Sequence, residues 1–423
     1  MRIAVIGSGI AGLASSWLLS PRHEVTLFEA NAHLGGHTHT HEIAVGGRHF
    51  AVDSGFIVFS PRHYPLFSAL LDELGVTSQP TTMSFSVHNA ASGLEYNATR
   101  LDTLFCQRRN LISPRFLGMV RDLLRFYREA PALLDGCDPG PTLGEYLATG
   151  RYGEAFRDDH LVPMASALWS SPPAQILNFP ARYLAQFMAN HQMFSVRERP
   201  EWRVVRGGSA TYVRALRSRW RVCERLGCPV RWVRRDAGAV TLGFEGRTER
   251  FDQLVLACHS DQALTLLADA SAAERSILGA ITYQPNEAVL HTDASVLPRR
   301  RKAWAAWNAY IPREPGAPCT VSYCMNLLQS LDCPEPLVVT LNRSGAIDPV
   351  KVLRTMRYEH PVHTHEALAA QRRRAQIQGI NRTWFAGAYW GWGFHEDGMR
   401  SAYAVAEALG TVTRRQAVNE VAA

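Results

Sequence analysis

The chain has 423 residues, 46% of them hydrophobic and 20% charged, and its formal net charge at pH 7 is +7. These proportions are those of an ordinary globular protein and exclude a fibrous or intrinsically disordered chain. No uninterrupted apolar run reaches about 18 residues, which argues against a membrane-spanning helix, and the length predicts two to three domains or one domain of interleaved segments.

Arginine carries almost all of the positive charge, because Lys302 and Lys351 are the only lysines. Guanidinium groups suit phosphate and carboxylate, so the charge balance favours anionic partners. Eight cysteines are scattered without a C-x-x-C pair, which indicates reduced thiols rather than disulfides or a zinc site. Three glycines interrupt the apolar first twenty residues, which argues against an export signal, so we expect a cytoplasmic protein.

The first thirty residues predict a strand, a glycine turn, a helix and a second strand. Residues 2–6 are a short apolar run, residues 10–19 have helical periodicity, and residues 24–29 form another strand pattern. A G-x-G-x-x-G sequence joins the first strand to the helix. This order, with an acid about twenty residues after the turn, is typical of a dinucleotide-binding unit. A chance glycine turn is the alternative.

Each residue of this pattern has a physical role. Gly7 permits the tight turn, Gly9 lets backbone N–H groups approach a pyrophosphate, and Gly12 lets the helix pack on its strand. The helix N-terminus supplies positive potential for that anion. The Glu29 carboxylate is suited to accept hydrogen bonds from a ribose diol, which also argues against a 2′-phosphate.

Residues 61–190 have mainly helical periodicity and few strand signals. A helix over about residues 113–128 starts with Ser113 as N-cap and Pro114 in the first turn. It combines an apolar stripe with arginines, which suits docking on a membrane surface, whereas a solvated helix packed on the core is the alternative. Two further arginine-rich runs, residues 299–302 and 372–374, lack any nucleic-acid fold signature, so no nucleic-acid partner is predicted.

Strand signals return after residue 200. They occur near residues 203–205, 230–233 and 251–258, and alternating apolar runs over residues 281–342 predict a meander or curved sheet. A last strand over residues 384–387 precedes a loop rich in glycine and aromatic residues. A final helix is predicted from about Gly398 to Leu409.

Further glycine-rich turns occur along the chain, and their order carries more information than any one of them. They are Leu34-Gly35-Gly36-His37, Asp53-Ser54-Gly55-Phe56, Arg206-Gly207-Gly208-Ser209, Phe385-Ala386-Gly387 and Gly393-Phe394-His395-Glu396-Asp397-Gly398. In this order the chain resembles the flavin-containing amine oxidoreductase family. The last turn and the segment from Tyr358 to Val362 are similar to a bacterial subgroup often encoded beside cyclopropane-fatty-acid synthases and implicated in furan fatty acid biosynthesis.

The resemblance implies an α/β fold, with a Rossmann-like FAD-binding domain of discontinuous segments and an α+β substrate domain of mixed sheet plus helical part. FAD-binding segments are expected at residues 1–60, 196–280 and 376–423, a helical substrate or lid segment at 61–195, and a substrate-domain sheet at 281–375. The implied FAD-binding residues are Gly7, Gly9, Gly12, Glu29, Gly35, Gly36, His37, Gly55, Val230, Gly387, Phe394, Asp397, Gly398 and Met399.

The resemblance also implies the chemistry: hydride leaves a substrate carbon for flavin N5 while a proton leaves the neighbouring carbon. The expected substrate is a long, methylated acyl chain in membrane phospholipid, with peripheral contact to the inner face of the cytoplasmic membrane. Alternatives are an amine or amino-acid oxidase that releases hydrogen peroxide, and an isomerase or mutase without net redox. The electron acceptor is left open among oxygen, a quinone and a carrier.

Departures from the family pattern argue against simple amine oxidation. His37 stands where many relatives have arginine, Glu287 stands near the position of a lysine beside the flavin, and Phe394 replaces a tyrosine of the amine cage. Glu287 and His395 are the candidate catalytic acid–base groups, because such a group has to reach the substrate. The histidines at 37, 39 and 41 alternate along a possible strand, but packing against cofactor or substrate is favoured over a metal site.

Overall fold

The computed structural model describes residues 1–135, 140–169, 171–195, 200–314 and 317–412. Within these ranges the chain forms twenty β-strands: β1 Arg2–Ile6, β2 Glu24–Phe28, β3 Thr40–Val45, β4 Arg48–Asp53, β5 Val58–Phe59, β6 Ser78–Thr81, β7 Phe85–Asn89, β8 Leu94–Asn97, β9 Trp202–Val205, β10 Val222–Arg225, β11 Trp232–Arg235, β12 Val240–Phe244, β13 Arg247–Phe251, β14 Gln253–Leu256, β15 Tyr283–His291, β16 Trp307–Ile311, β17 Thr320–Cys324, β18 Val338–Leu341, β19 Val352–Pro361 and β20 Thr383–Phe385.

The same described ranges contain fifteen α-helices: α1 Ile10–Leu19, α2 Pro65–Leu74, α3 Leu101–Leu104, α4 Pro114–Glu129, α5 Leu143–Thr149, α6 Glu154–Phe156, α7 Val162–Trp169, α8 Pro173–Leu177, α9 Ala181–Asn190, α10 Ala210–Arg217, α11 Ser260–Leu266, α12 Ala272–Leu278, α13 Met325–Leu328, α14 His365–Arg372 and α15 His395–Ala408. A 3-10 helix, Arg108–Ile112, precedes α4, and a π-helical turn, Arg157–Leu161, joins α6 to α7.

A five-stranded parallel sheet brings distant stretches of the chain together. Its strand order is β10–β2–β1–β14–β20, and every neighbouring pair is parallel. Ile3 and Val5 of β1 pack in one core with α1 and α15, whereas Ala4 and Ile6 pack on the other side with the antiparallel sheet β11–β13. A strand covered on both faces is expected to be apolar, as β1 is from Ile3 to Ile6.

A seven-stranded sheet, ordered β19–β15–β18–β17–β16–β7–β8, forms the second large layer. It is mixed, because β7 and β16 are parallel while the other neighbours are antiparallel. Its inner face packs Ala288 and Leu290 in one apolar core with residues of the β3–β4 hairpin. The predicted α/β fold, with a discontinuous parallel sheet and a mixed sheet, is therefore confirmed, and the predicted domain boundaries stay predictions.

The prediction that residues 61–190 contain few strands is wrong for its first part. Strands β6, β7 and β8 lie there, and β7 pairs with β16 more than half the chain away. Local periodicity does not reveal so distant a partner. Helices α3–α9 follow as predicted, and their core includes Phe116, Phe126 and Phe156. In the part of the chain that the structure describes, no helix combines the length and apolar character needed to cross a membrane.

Candidate cofactor and substrate site

The first glycine turn leaves an open space at the N-terminus of α1. Gly9 is the N-cap of α1 and no side chain caps this end, so the first N–H groups of the helix lack intrahelical acceptors. A Cβ atom built on Gly9 meets no atom of the described protein within 4 Å. A Cβ on Gly12 would instead lie 1.9 Å from the carbonyl oxygen of Gly7, which shows how closely the helix approaches the turn.

Glu29 lies directly beside this turn and is buried. Its Oε2 accepts hydrogen bonds from Ser8 N (3.0 Å) and Ser8 Oγ (2.6 Å), and its Oε1 accepts one from Asn31 N (2.8 Å). Val230 follows a segment tied to the same residues, since Cys228 N donates to the Glu29 carbonyl oxygen at 2.9 Å. The structure therefore places Glu29 and the Val230 segment at the carboxyl end of β2, next to the glycine turn.

The second glycine pair folds back over the first turn. Gly35 N donates to Ser8 O at 3.1 Å, and a Cβ on Gly36 would lie 2.9 Å from the Cα of Gly9. Gly55 lies against His37, the residue after Gly36, because Phe56 N donates to His37 O at 2.7 Å. His37 itself is in a loop rather than in the predicted strand, which begins at Thr40.

The N-terminus of α15 meets the same region. The helix begins at His395, three residues before the predicted start, so Asp397 lies in its first turn. Asp397 Oδ2 accepts hydrogen bonds from Trp392 N and Phe394 N, both at 3.0 Å, and thereby caps the helix. Burial raises the pKa of Asp397 to about 6. A Cβ on Gly398 would lie 2.5 Å from Ile10 Cγ2, so α15 packs closely on α1.

The remaining two predicted cofactor residues are also at this junction. Gly387 N donates to Ser401 Oγ of α15 at 2.9 Å, and Met399 is buried in the core shared with α1. The predicted cofactor residues from three separate stretches of the chain thus adjoin the first glycine turn or the helix that packs on it.

Several features of the residues at this junction fit FAD. Open space at Gly9 and uncapped N–H groups at α1 suit a pyrophosphate, and Glu29 beside them suits a ribose. His37 supplies a buried Nε2 atom without a hydrogen-bond partner among the described residues, as a ligand contact would require. Burial and nearby histidines hold the pKa of His37 well below its usual value, so the ring is neutral.

His395 is more deeply packed than a catalytic base near substrate would be. Its ring stacks on Phe56 at a centroid distance of 3.4 Å, and Nε2 lies 3.1 Å from both Thr38 Oγ1 and Tyr212 OH. Burial lowers the pKa of His395 to about 3, which makes it a weak base. These contacts tie the glycine-pair loop and α10 to α15, so the structure supports a packing and hydrogen-bonding role for His395.

Glu287 faces away from the region of the glycine turns. On β15 its neighbour Asn286 donates to His360 (2.9 Å), whose ring lies 5.3 Å from that of His37. Successive side chains of a strand point to opposite faces, so Glu287 points to the other face, beside its cross-strand partner Arg357. This geometry disfavours Glu287 as the base, and Asn286 is the residue of β15 directed toward the loop of His37.

Glu396 is an acid with a structural role at the start of α2. Its Oε1 and Oε2 accept hydrogen bonds from Leu66 N and Phe67 N, both at 3.1 Å, at the N-terminus of α2. Burial raises the pKa of Glu396 to about 7. The carboxyl group caps α2 from α15, a helix more than 300 residues later in the chain.

A cavity of about 430 Å³ opens beside the N-terminus of α15. Its walls include Tyr64, His191, Trp392 and Phe394, and it is also lined by Arg62, His63, Ala189, Asn190, Gln192, Glu396, Asp397 and Arg400. Sequence reasoning missed most of these residues, since they come from the loop before α2, the end of α9 and the outer side of α15. The signal for this place came from the glycine-aromatic segment Gly393–Gly398 and from Trp392, which the sequence left open between a channel wall and the core.

Asp53 is another important residue whose role the sequence did not show. Its carboxylate accepts hydrogen bonds from Ser209 N (2.9 Å), Ser209 Oγ (2.8 Å) and Gln329 Nε2 (3.0 Å). Burial raises the pKa of Asp53 to about 6. These hydrogen bonds join the β3–β4 hairpin to the turn before α10. They therefore hold in place the hairpin that follows the glycine-pair loop.

Of the histidines at 37, 39 and 41, only His41 lies on a strand, because β3 begins at Thr40. The rings of His39 and His41 are 4.1 Å apart, and Tyr358 contacts both His37 (ring centroids 5.0 Å apart) and His39 (Nδ1 to OH 3.1 Å). Among the residues that the structure describes, no group of three or more histidine, cysteine, aspartate or glutamate side chains is arranged to hold a metal ion.

The fold and this junction define an α/β protein that binds a dinucleotide at the carboxyl ends of parallel strands. The sequence profile described as flavin containing amine oxidoreductase matches residues 10–302, and the chain belongs to that family. It is therefore an FAD-dependent oxidoreductase.

Solved structures of the same fold cover nearly the whole chain. Cyclohexylamine oxidase from Brevibacterium oxydans IH-35A is 18% identical with a TM-score of 0.70, and the match covers 96% of this chain and 99% of that one. A CLA-producing fatty acid isomerase from P. acnes is 18% identical (TM-score 0.67; 97% and 99% covered), and a reduced UDP-galactopyranose mutase is 15% identical (0.69; 100% and 98%). No curated protein matches the sequence significantly.

Proposed function

We propose that this FAD-dependent oxidoreductase dehydrogenates a long, methylated acyl chain that carries an anionic end, as in a membrane phospholipid. The cavity at the N-terminus of α15 is the observation that carries this proposal. Its walls contain the aromatic side chains of Tyr64, Trp392 and Phe394, and the exposed Arg62 and Arg400 line it as well. The aromatic rings suit an acyl chain, and guanidinium groups suit a phosphate or carboxylate.

The charges around the cavity favour an anion over an ammonium group. The two acids that line it, Glu396 and Asp397, are buried and already accept backbone hydrogen bonds as helix caps. Arg62 would repel a protonated amine, and Arg400, which lies 3.9 Å from Glu396, offsets the charge of that acid. The replacement of an amine-cage tyrosine by Phe394 points the same way.

In the proposed reaction, two hydrogens leave neighbouring carbons, one as a hydride to the two-electron acceptor and one as a proton that is released to water, and a carbon–carbon double bond forms. FAD supplies the two-electron acceptor when bound. Trp392 and Phe394 hold the chain and exclude water, because they are packed in a rigid aromatic cluster; the rings of Phe394 and Phe187 stack at 5.3 Å. His191 lines the cavity, and its Nδ1 donates to Phe187 O at 2.9 Å, which leaves Nε2 as an acceptor.

Anaerobic mixing tests this function. The holoenzyme is mixed with phospholipids bearing methylated or unmethylated monounsaturated chains and, separately, with a panel of amines, while the flavin absorbance is followed. We expect lipid to bleach the flavin and mass spectrometry to find a product lighter by two hydrogens. The double variant Arg62→Gln/Arg400→Gln should need at least about tenfold more lipid for half-maximal bleaching. The variant Arg231→Gln/Arg247→Gln, which changes two exposed arginines just before β11 and on β13, should behave as wild type.

Two results would contradict the proposal. Bleaching by amines with none by lipid would identify an amine oxidase. A lipid product of unchanged mass with a displaced double bond would identify an isomerase.

A further inference from the structure

The exposed apolar side chains of the protein are concentrated in one short stretch. Among the described residues, eleven large hydrophobic side chains are exposed, and five of them fall between residues 101 and 124. They are Leu101 (75% exposed), Leu111, Ile112 (83%), Leu117 and Leu124. Single exposed apolar residues are common on protein surfaces, but such a concentration indicates a contact surface.

Three neighbouring helical elements carry these residues. Asp102 of α3 forms an ion pair with Arg108 of the 3-10 helix (Nη2 to Oδ1 3.1 Å), which holds these two elements side by side. The 3-10 helix then runs into α4 through the N-cap Ser113, whose Oγ accepts from Phe116 N. We call this surface, formed by α3, the 3-10 helix and the outer side of α4, the helical face.

The outer side of α4 alternates leucine and arginine. Leu117, Arg121, Leu124 and Arg128 follow one another at intervals of four, three and four residues, so they form a single stripe along the helix. Both arginines are more than three-quarters exposed, and both leucines are exposed. The opposite side of α4 buries Phe116, Met119 and Phe126 in the helical core. The stripe of leucine and arginine therefore does not contribute to the helical core.

A basic run from a distant part of the chain adds to this face. Lys302 reaches the same Asp102 carboxylate at 3.1 Å, and its neighbours Arg300 and Arg301 are exposed. The backbone N–H of Arg300 is fixed by the buried Glu95 carboxylate at 3.1 Å. The surface thus combines exposed leucine and isoleucine with cations from two segments that the sequence does not connect.

We propose that the helical face docks on an anionic lipid bilayer. Apolar side chains that insert between lipids, together with arginines that meet anionic headgroups, are the two features that interfacial binding needs. The inference concerns where the protein binds and stands apart from the proposed chemistry. Vesicle binding and lipid-dependent bleaching of the flavin are separate measurements, so either can fail alone.

Flotation of the holoenzyme with vesicles tests the proposal. We expect binding to phosphatidylcholine vesicles that contain phosphatidylglycerol, and weak binding to phosphatidylcholine alone. Each arginine removed in Arg121→Gln and Arg128→Gln should weaken partitioning by about fivefold. Leu111→Ser/Ile112→Ser should weaken it by about tenfold, including at 1 M salt, where the screening length falls to about 3 Å.

Matched variants outside the helical face provide the controls. Val350→Ser/Ile380→Ser removes two other exposed apolar side chains, and Arg231→Gln/Arg247→Gln removes two other exposed cations. These should bind vesicles as wild type does, and the flavin spectrum and Tm of every variant verify its fold. Any of three results overturns the proposal. The holoenzyme does not bind anionic vesicles, the variants of the helical face bind vesicles as well as the control variants do, or the holoenzyme binds DNA but not vesicles.

Discussion

Gly9 and Gly12 occupy the same turn, yet their surroundings differ in a way that alanine can distinguish. A Cβ at Gly12 would overlap the carbonyl oxygen of Gly7, so the first helix could no longer pack on its strand. A Cβ at Gly9 would enter the open space at the N-terminus of α1. The first substitution is therefore expected to damage the fold, and the second to affect only what binds there.

We expect Gly9→Ala to keep the wild-type Tm of the apoprotein while its Kd for FAD rises at least about tenfold, or 1.4 kcal/mol. Thermal unfolding and FAD titration measure the two quantities. Gly118→Ala serves as control, because Gly118 of α4 also has no neighbour within 4 Å of an added Cβ. Unchanged FAD affinity in Gly9→Ala would mean that no pyrophosphate lies against this turn.

At the scale of elements, α2 and α15 are joined through one carboxyl group. Glu396→Ala removes both acceptors at the N-terminus of α2, so the free energy of unfolding should fall by about 0.5–2 kcal/mol. Glu396→Gln keeps one acceptor and should lose less. Urea unfolding measures both, with Glu407→Ala near the other end of α15 as control. Equal stability of Glu396→Ala and wild type would show that this cap contributes nothing.

A buried ion pair joins β11 to α12. Arg235 Nη2 lies 2.9 Å from Glu274 Oε2, and both side chains are 1% exposed. Arg235→Met leaves the Glu274 charge buried without its partner, so unfolding should become easier by about 3–5 kcal/mol. The exposed pair Arg250–Asp236 is the comparison, where Arg250→Met should cost less than about 1 kcal/mol. Equal costs would show that burial does not set the strength of these pairs.

The sequence predicted the elements whose contacts are local. The strand, turn and helix through Leu19 appear at the expected residues, because glycine positions and apolar periodicity are set within thirty residues. The start of α15 was predicted three residues too late. The capping residue Asp397 lies inside the helix and bonds back to the irregular loop before it, so no N-cap residue marks the start in the sequence. The cavity was missed too, because Arg62, His191 and Arg400 come together only through tertiary packing.

At the scale of the whole molecule, buried ionisable groups act on stability in opposite directions. Burial is the leading cause that lowers the pKa of eleven described histidines: His37, His39, His41, His63, His88, His191, His259, His291, His360, His363 and His395. Burial raises the pKa of three acids to about 6 or 7: Asp53, Glu396 and Asp397.

Below pH 6.5 the unfolded chain binds protons at histidines whose pKa is lowered in the folded protein, so these groups make stability increase with pH. The three acids do the reverse, because they keep their protons in the folded state up to pH 6 or 7. The histidines outnumber them. We therefore expect the free energy of unfolding to fall by about 3 kcal/mol or more on acidification from pH 6.5 to 4.5, after discounting the partly exposed rings.

Urea unfolding at half-unit pH steps measures this dependence. His360→Asn tests its source: the pKa of His360 is lowered to about 4, and its ring is bonded to Asn286. This variant should show a drop smaller by about 2 kcal/mol, because the two pH units of this window lie between the unfolded and folded pKa values of His360 and one unit corresponds to 1.36 kcal/mol. Stability that stays constant or increases on acidification would mean that the buried acids, and not the histidines, dominate the proton balance of folding.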